Sequence, residues 1–198
     1  MKQTKRYPTI GACGLDCGLC PRYYTVGISK CPGCCGPNFF NKHPSCSFIT
    51  CCVKKKNFEV CAECAEFPCS KFKSEGECQQ LKQSSSYPSY KRVMSNLNFI
   101  KEHGIERFIK QQKKRIELLE MMLTQFNEGR SKSFYCIATA LLPIADLEES
   151  LKRSSQRIKT DKIEPDDIKA KSKILKGFLN DLAACEGIEL SEASRIKA

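Results

Sequence analysis

Apolar positions along this chain follow two regimes. Beyond residue 90 they recur at helical spacing. In GIERFIKQQKKRIELLEMMLTQF, residues Ile105, Phe108, Ile109, Ile116, Leu119, Leu123 and Phe126 return mostly at steps of three and four, which predicts one buried stripe on a helix of about six turns. SKSFYCIATALL reads as a shorter helix ended by Pro143, and another helix runs through Leu147 and Leu151. A last helix is expected to open at EPDD, with Pro165 at its first position and acidic residues in its first turn. It should continue through Ile168, Leu175, Phe178 and Leu182 to a stop near Gly187. Before residue 83 there is no period, only short apolar pieces broken by Gly, Pro and Cys. No run alternates as a strand would, and no internal repeat is evident. The serine-rich QSSSYPS at 83–89 divides the regimes. The chain is therefore expected to be mainly α, with an irregular cysteine-rich region over 1–86 and a small helical bundle over 87–198.

The first region has too little apolar material to hold itself. Between Ile10 and Glu75 there are 16 large apolar residues against 12 cysteines, and so modest a core usually needs disulfides or a metal. The whole chain has 198 residues, of which 41% are hydrophobic and 28% charged, a composition of folded rather than disordered proteins. Its start, MKQTKRYPTIGAC, has no apolar stretch or cleavage-like site, and no apolar run approaches the ~18 residues of a membrane span. A cytoplasmic protein without membrane association is expected, in a compartment where thiols stay reduced. The 15 cysteines are odd in number and recur as tight CxxC pairs, Cys17 with Cys20, Cys31 with Cys34 and Cys61 with Cys64. Both features favour metal over a disulfide framework.

Thiolate sulfurs bind Zn²⁺ tetrahedrally, and a CxxC turn lets two sulfurs reach one ion from a tight backbone. Gly18 and Gly33 sit inside two of these turns and ease them. One allocation gives Cys17, Cys20, Cys31 and Cys34 to a first ion and Cys52, Cys61, Cys64 and Cys69 to a second. Cys13 and Cys46 could displace any of these, and spacing alone does not decide which cysteines share an ion. About two zinc ions are expected. The alternative is iron: Cys13, Cys17 and Cys20 form CxxxCxxC, so a [4Fe–4S] cluster completed by a distant cysteine fits the same thiolates.

CGLDCGLCPRYYT, CPGCCG and ITCCVKKKNFEVCAECAEFPCSKF together resemble an uncharacterised bacterial and archaeal cysteine-rich family filed as a domain of unknown function. The resemblance covers roughly residues 10 to 75. Its cysteine pattern falls on Cys13, Cys17, Cys20, Cys31, Cys34, Cys52, Cys61, Cys64 and Cys69, with Cys46 a looser match. It implies metal binding, with zinc the expected ion, and it implies no activity. Cys35 and Cys51 are extra to the pattern.

Charge changes this picture only slightly. Two four-thiolate zinc sites, each carrying −2, would bring the formal +11 down to +7. Arg107, Lys110 and Lys114 share one face of the long helix, yet the charge forms no arm and is not interleaved with aromatic residues, so no specific nucleic-acid binding is expected. Arg130 and Lys132 stand where a helix begins and could hold an anion there, although an ordinary capped turn is the simpler reading. His43 reads as a surface-loop residue, His103 as a helix terminus, and Cys136 and Cys185 as buried structural thiols. No acid, base and nucleophile are grouped as catalysis would require. The expected function is a zinc-stapled binding or scaffold module whose helices present a surface to a protein partner. The other class is a thiol-based redox or metal-transfer protein using Cys35 and Cys51.

Overall fold

The computed structural model describes residues 4–43, 46–73 and 91–190. The expected division at 86/87, the serine-rich stretch and Cys78 lie outside these residues. Among the described residues there is no strand. The cysteine-rich part is a chain of turns, with 3-10 turns at Cys17–Leu19, Gly27–Ser29, Phe39–Asn41 and Cys61–Glu63, a π-helix at Ile49–Lys55 and a one-turn helix α1 at Ser70–Lys73. Five longer helices follow: α2 Val93–His103, α3 Ile105–Gln125, α4 Lys132–Leu141, α5 Ile144–Thr160 and α6 Ile168–Cys185.

Helix α2 ends where expected at His103, because Gly104 takes a left-handed φ of 84° and turns the chain into α3. The α3 stripe buries Ile105, Phe108, Ile109, Leu118, Leu119 and Met122, together with Gln112, which the apolar pattern does not include. Ile116 and Leu123, expected on that stripe, are only half-buried. Helix α4 is buried on all sides through Tyr135–Ala140 and forms the centre of the bundle, as an apolar-all-round helix must. Helices α5 and α6 pack closely, and the fully buried Ser150 and Ser154 of α5 are small enough to let a neighbouring backbone approach.

Two expectations about α6 need correction. It opens at Ile168, not at Pro165, because the Asp167 carboxylate caps it by accepting the Ala170 N–H at 2.9 Å. The first turn is therefore cationic rather than acidic. Its buried face is Ser172, Leu175, Leu179 and Ala183, a run of steps of three and four that leaves Cys185 two positions further round the helix. Cys185 is consequently exposed, not a buried thiol, whereas Cys136 is fully buried.

The cysteine-rich part does not stand apart from the helices. Ile10, Val53, Val60 and Phe67 pack in one apolar cluster with Leu97, Ile100, Phe108 and Ile109. Leu19, from the middle of CGLC, is 0% exposed and inserts among Leu119, Met122, Tyr135, Leu147 and Leu175 in a second cluster.

Candidate metal centre

All three CxxC turns hang on one short segment. The Gly18 N–H donates to the Thr9 carbonyl at 2.8 Å, the Cys34 N–H to Pro8 at 2.8 Å, and the Cys61 N–H to Ala12 at 2.9 Å. Residues 8–12 are thus a spine around which the turns are gathered. Within the first and third turns the fourth residue closes back on the first: Cys20 N–H to Cys17 O at 3.3 Å, and Cys64 N–H to Cys61 O at 3.1 Å. The second needs its glycine. Gly33 has φ of 81°, and a Cβ there would stand 2.4 Å from the Pro8 carbonyl oxygen, so no side chain fits.

The first loop is fixed from the helical side by a buried carboxylate. Asp16 is 4% exposed. The Asn96 amide of α2 donates to one of its oxygens at 2.8 Å and the Gln112 amide of α3 to the other at 3.0 Å. The same two amides also reach the Gly14 and Thr9 carbonyls, each at 2.9 Å. Burial raises the Asp16 pKa from its usual value, opposed by these hydrogen bonds and by the charges of Arg92 and Arg115. Burial likewise brings Arg115 down to about 10, while its guanidinium donates to the Leu142 carbonyl at 2.7 Å and to that of Thr139.

Around this frame the cysteines fall into local groups. Cys13, Cys17, Cys34 and Cys35 form the first, with Cys46 at its edge. Burial pushes the Cys13 thiol up to about 12, and Cys34 and Cys46 add to the rise. The Cys17 thiol is raised well above its usual value by burial and then by Cys34, Cys13 and Cys20, the last linking this group to the next. Cys34 is lowered because it shares a side-chain hydrogen bond with Cys35, which is raised by the same bond. A second group joins Cys20, raised by burial and by the neighbouring Cys31, to His43, whose Nε2 lies 3.3 Å from the Cys31 sulfur. His43 lies in a bend, as the sequence reading has it, but is half-buried: it stacks on Phe39 with ring centroids 4.8 Å apart.

The third group, Cys51, Cys52, Cys61, Cys64 and Cys69, lines a small cavity of about 30 Å³, room for one small guest. Cys61 shares a side-chain hydrogen bond with Cys52, which raises its thiol pKa, as does burial. The Lys56 ammonium donates to the Cys64 sulfur at 3.1 Å and to Glu66 at 2.7 Å. Of the ten expected ligands, Cys52, Cys61, Cys64 and Cys69 are thus brought to one cavity. Cys17 and Cys34 lie with Cys13, and Cys20 with Cys31. None of the described cysteines is in a disulfide. Among the described residues no three Cys, His, Asp or Glu side chains are drawn together tightly enough to grip an ion.

The donor chemistry nevertheless fits a thiophilic cation. Neutral thiols crowded in an apolar interior resist ionisation, and a divalent metal supplies the charge that makes thiolates favourable there. Lys5 points the same way. It is 6% exposed, its ammonium donates to the Ile10 carbonyl, and its charge lowers the pKa of Cys13, Cys17, Cys34 and Cys35. A buried ammonium beside four sulfurs favours their anionic form. Sequence reasoning missed Lys5, Asn96 and Gln112, since nothing in their local pattern separates them from surface residues.

The described chain therefore defines a class: an all-helical protein with an irregular cysteine-rich region seated on its helices. More particularly, residues 9–74, a third of the chain, match the model of a family described as a protein of unknown function (DUF3795). That match coincides with the motifs from which the resemblance was read. No curated protein and no solved structure matches the chain.

Proposed function

We propose that residues 9–74 are a zinc-stapled module, holding about two ions, whose role is to bind or organise a partner rather than to catalyse. The observation that carries this reading is the small cavity lined by Cys51, Cys52, Cys61, Cys64 and Cys69. A tetrahedral ion there would take four of the five thiolates, with Cys52, Cys61, Cys64 and Cys69 the expected set and Cys51 adjacent. The second ion belongs to the cysteines around the spine, drawn from Cys13, Cys17, Cys20, Cys31, Cys34 and Cys46. Zinc is the expected ion because paired CxxC turns supply four thiolates tetrahedrally; a [4Fe–4S] cluster on Cys13, Cys17, Cys20 and a distant cysteine is the alternative, since thiolates suit both.

Metal analysis of protein purified without oxygen tests this reading. About two zinc ions per chain and no visible absorption are expected. A brown protein with iron and inorganic sulfide would overturn the zinc assignment. Slow thiol labelling that accelerates with a chelator supports structural sites, whereas rapid labelling of Cys35 or Cys51 in the loaded protein would favour metal transfer or redox chemistry.

A further inference from the structure

A groove between the turn preceding α4 and the side of α6 takes no part in the cysteine chemistry. It encloses about 760 Å³ and is lined by Arg130, Lys169, Lys173, Lys176, Gly177 and Glu128, with Ser172 and Asn180 completing it. Four cations face one carboxylate, and that carboxylate is already engaged. Glu128 accepts hydrogen bonds from the Ser131 and Ser172 hydroxyls, the latter at 2.9 Å, and pairs with Lys176 at 3.3 Å. Arg130, Lys169 and Lys173 make no ion pair among the described residues.

Two features of α6 oppose its own stability and both face this groove. Lys169 lies in the first turn, where the helix dipole disfavours a cation. Gly177 lies in the helix interior, where glycine is among the poorest residues. A Cβ at Gly177 would meet nothing within 4 Å, so packing does not demand glycine. Local rules broken without a packing reason are where functional sites are expected. An anion in the groove would turn the first feature favourable, and the missing side chain at Gly177 leaves room for it.

The shape and chemistry of the lining select the ligand. Lys169, Lys173 and Lys176 are spaced i, i+4 and i+7, so they run along one helix face for about 10 Å. Arg130 faces them from the turn, with a planar fork suited to phosphate oxygens. No aromatic or aliphatic side chain lines the groove, so nothing there would stack a base or cover an apolar body. We infer that this groove binds a linear condensed phosphate of two or three units, free or as the tail of a larger molecule. The inference is independent of the metal reading.

The test titrates metal-loaded protein with tripolyphosphate at about 150 mM salt, read by calorimetry and by backbone amide shifts. Saturable binding with Kd below about 100 µM is expected, with shifts confined to residues 128–132 and 168–180. The Lys169→Ala/Lys173→Ala variant, changed at two exposed side chains, should bind at least tenfold more weakly. Lys110→Ala/Lys113→Ala, on the exposed face of α3, should bind as the parent does. ATP should match tripolyphosphate within about threefold and AMP should not bind, which separates recognition of the phosphate chain from recognition of a nucleoside. No saturation below about 1 mM, equal losses in both double variants, or tenfold tighter binding of ATP would overturn the assignment. Shifts confined to the cysteine region would also overturn it, since the phosphate would then be extracting metal.

Discussion

Replacing Asn96 with alanine should loosen the first cysteine turn from a site on another element. The Asn96 amide donates to Asp16 Oδ2 at 2.8 Å and to the Gly14 carbonyl at 2.9 Å, and both bonds are buried. A hydrogen bond to a charged group nets about 1.5–3 kcal/mol and a neutral one about 0.5–1.5 kcal/mol, so the loss should be about 2–4 kcal/mol. That is a large part of the roughly 5–15 kcal/mol that holds a domain folded. In urea, followed by far-ultraviolet ellipticity on metal-loaded, reduced protein, the midpoint should fall by about 1–2 M. Asn98→Ala, two positions away on the exposed side of α2, should change stability by less than about 0.5 kcal/mol. Because Asp16 lies between Cys13 and Cys17, the Asn96 variant should also release metal to a chelator faster than the Asn98 variant. Equal midpoints for the two variants would refute the reasoning and leave Asp16 without an anchoring role.

Further measurements bear on other parts of the molecule. Burial would raise the Glu128 pKa, but hydrogen bonds from Ser131, Ser172 and Lys176 outweigh it and hold the carboxyl down to about 2 against an ordinary 4.5. A depressed carboxyl stabilises the fold above its unfolded pKa and loses that contribution as pH falls from about 4.5 toward about 2. The melting-temperature gap between parent and Glu128→Gln should therefore be widest near neutral pH and shrink over that range, and a constant gap would contradict the network. Leu19→Ala, which empties a fully buried site between the cysteine turn and the bundle, should cost about 2–5 kcal/mol by chemical denaturation; a loss under about 1 kcal/mol would mean that the turn is not seated there. Labelled DNA and RNA, single- and double-stranded, should bind no more tightly than about 10⁻⁷ M at about 150 mM salt. Tighter binding would promote the face of Arg107, Lys110 and Lys114 to a nucleic-acid site.

The long α3 helix is legible in the sequence because most of its buried residues are apolar and periodic. Of helix α2 only the end, at His103 before Gly104, is legible. Its buried face is Val93, Asn96, Leu97 and Ile100, and the polar Asn96 interrupts the stripe where the cysteine loop docks. Gln112 conceals part of α3 for the same reason. Polar residues buried to satisfy a distant loop look like surface residues until that loop is in place. The α6 face was misread because Phe178 and Leu182 are apolar but only half-buried, while Leu175, Leu179 and Ala183 carry the contact. Three CxxC turns and their match to a family of unknown function were readable directly, since spacing along the chain fixes such turns. How the turns assemble was not, because it depends on carbonyls at Pro8, Thr9 and Ala12, and backbone acceptors leave no trace in residue identity.

The Asp16 anchor has a consequence for the order in which the molecule is made. Its two amide partners lie 80 and 96 residues further along the chain. At about 5–20 residues per second, translation needs roughly 5–20 s to pass from the carboxylate to Gln112. During that interval each CxxC turn, once made, lacks the helices on which it will rest, and its thiols are open to whatever the cell supplies. A metal ion captured then would organise the turns before α2 and α3 arrive, and the helices would close over a formed site. Arriving later, the ion would have to enter through a lining already 3% and 9% exposed at Cys52 and Cys61. Expression in metal-poor medium followed by metal addition should thus load the protein more slowly than metal supplied during synthesis.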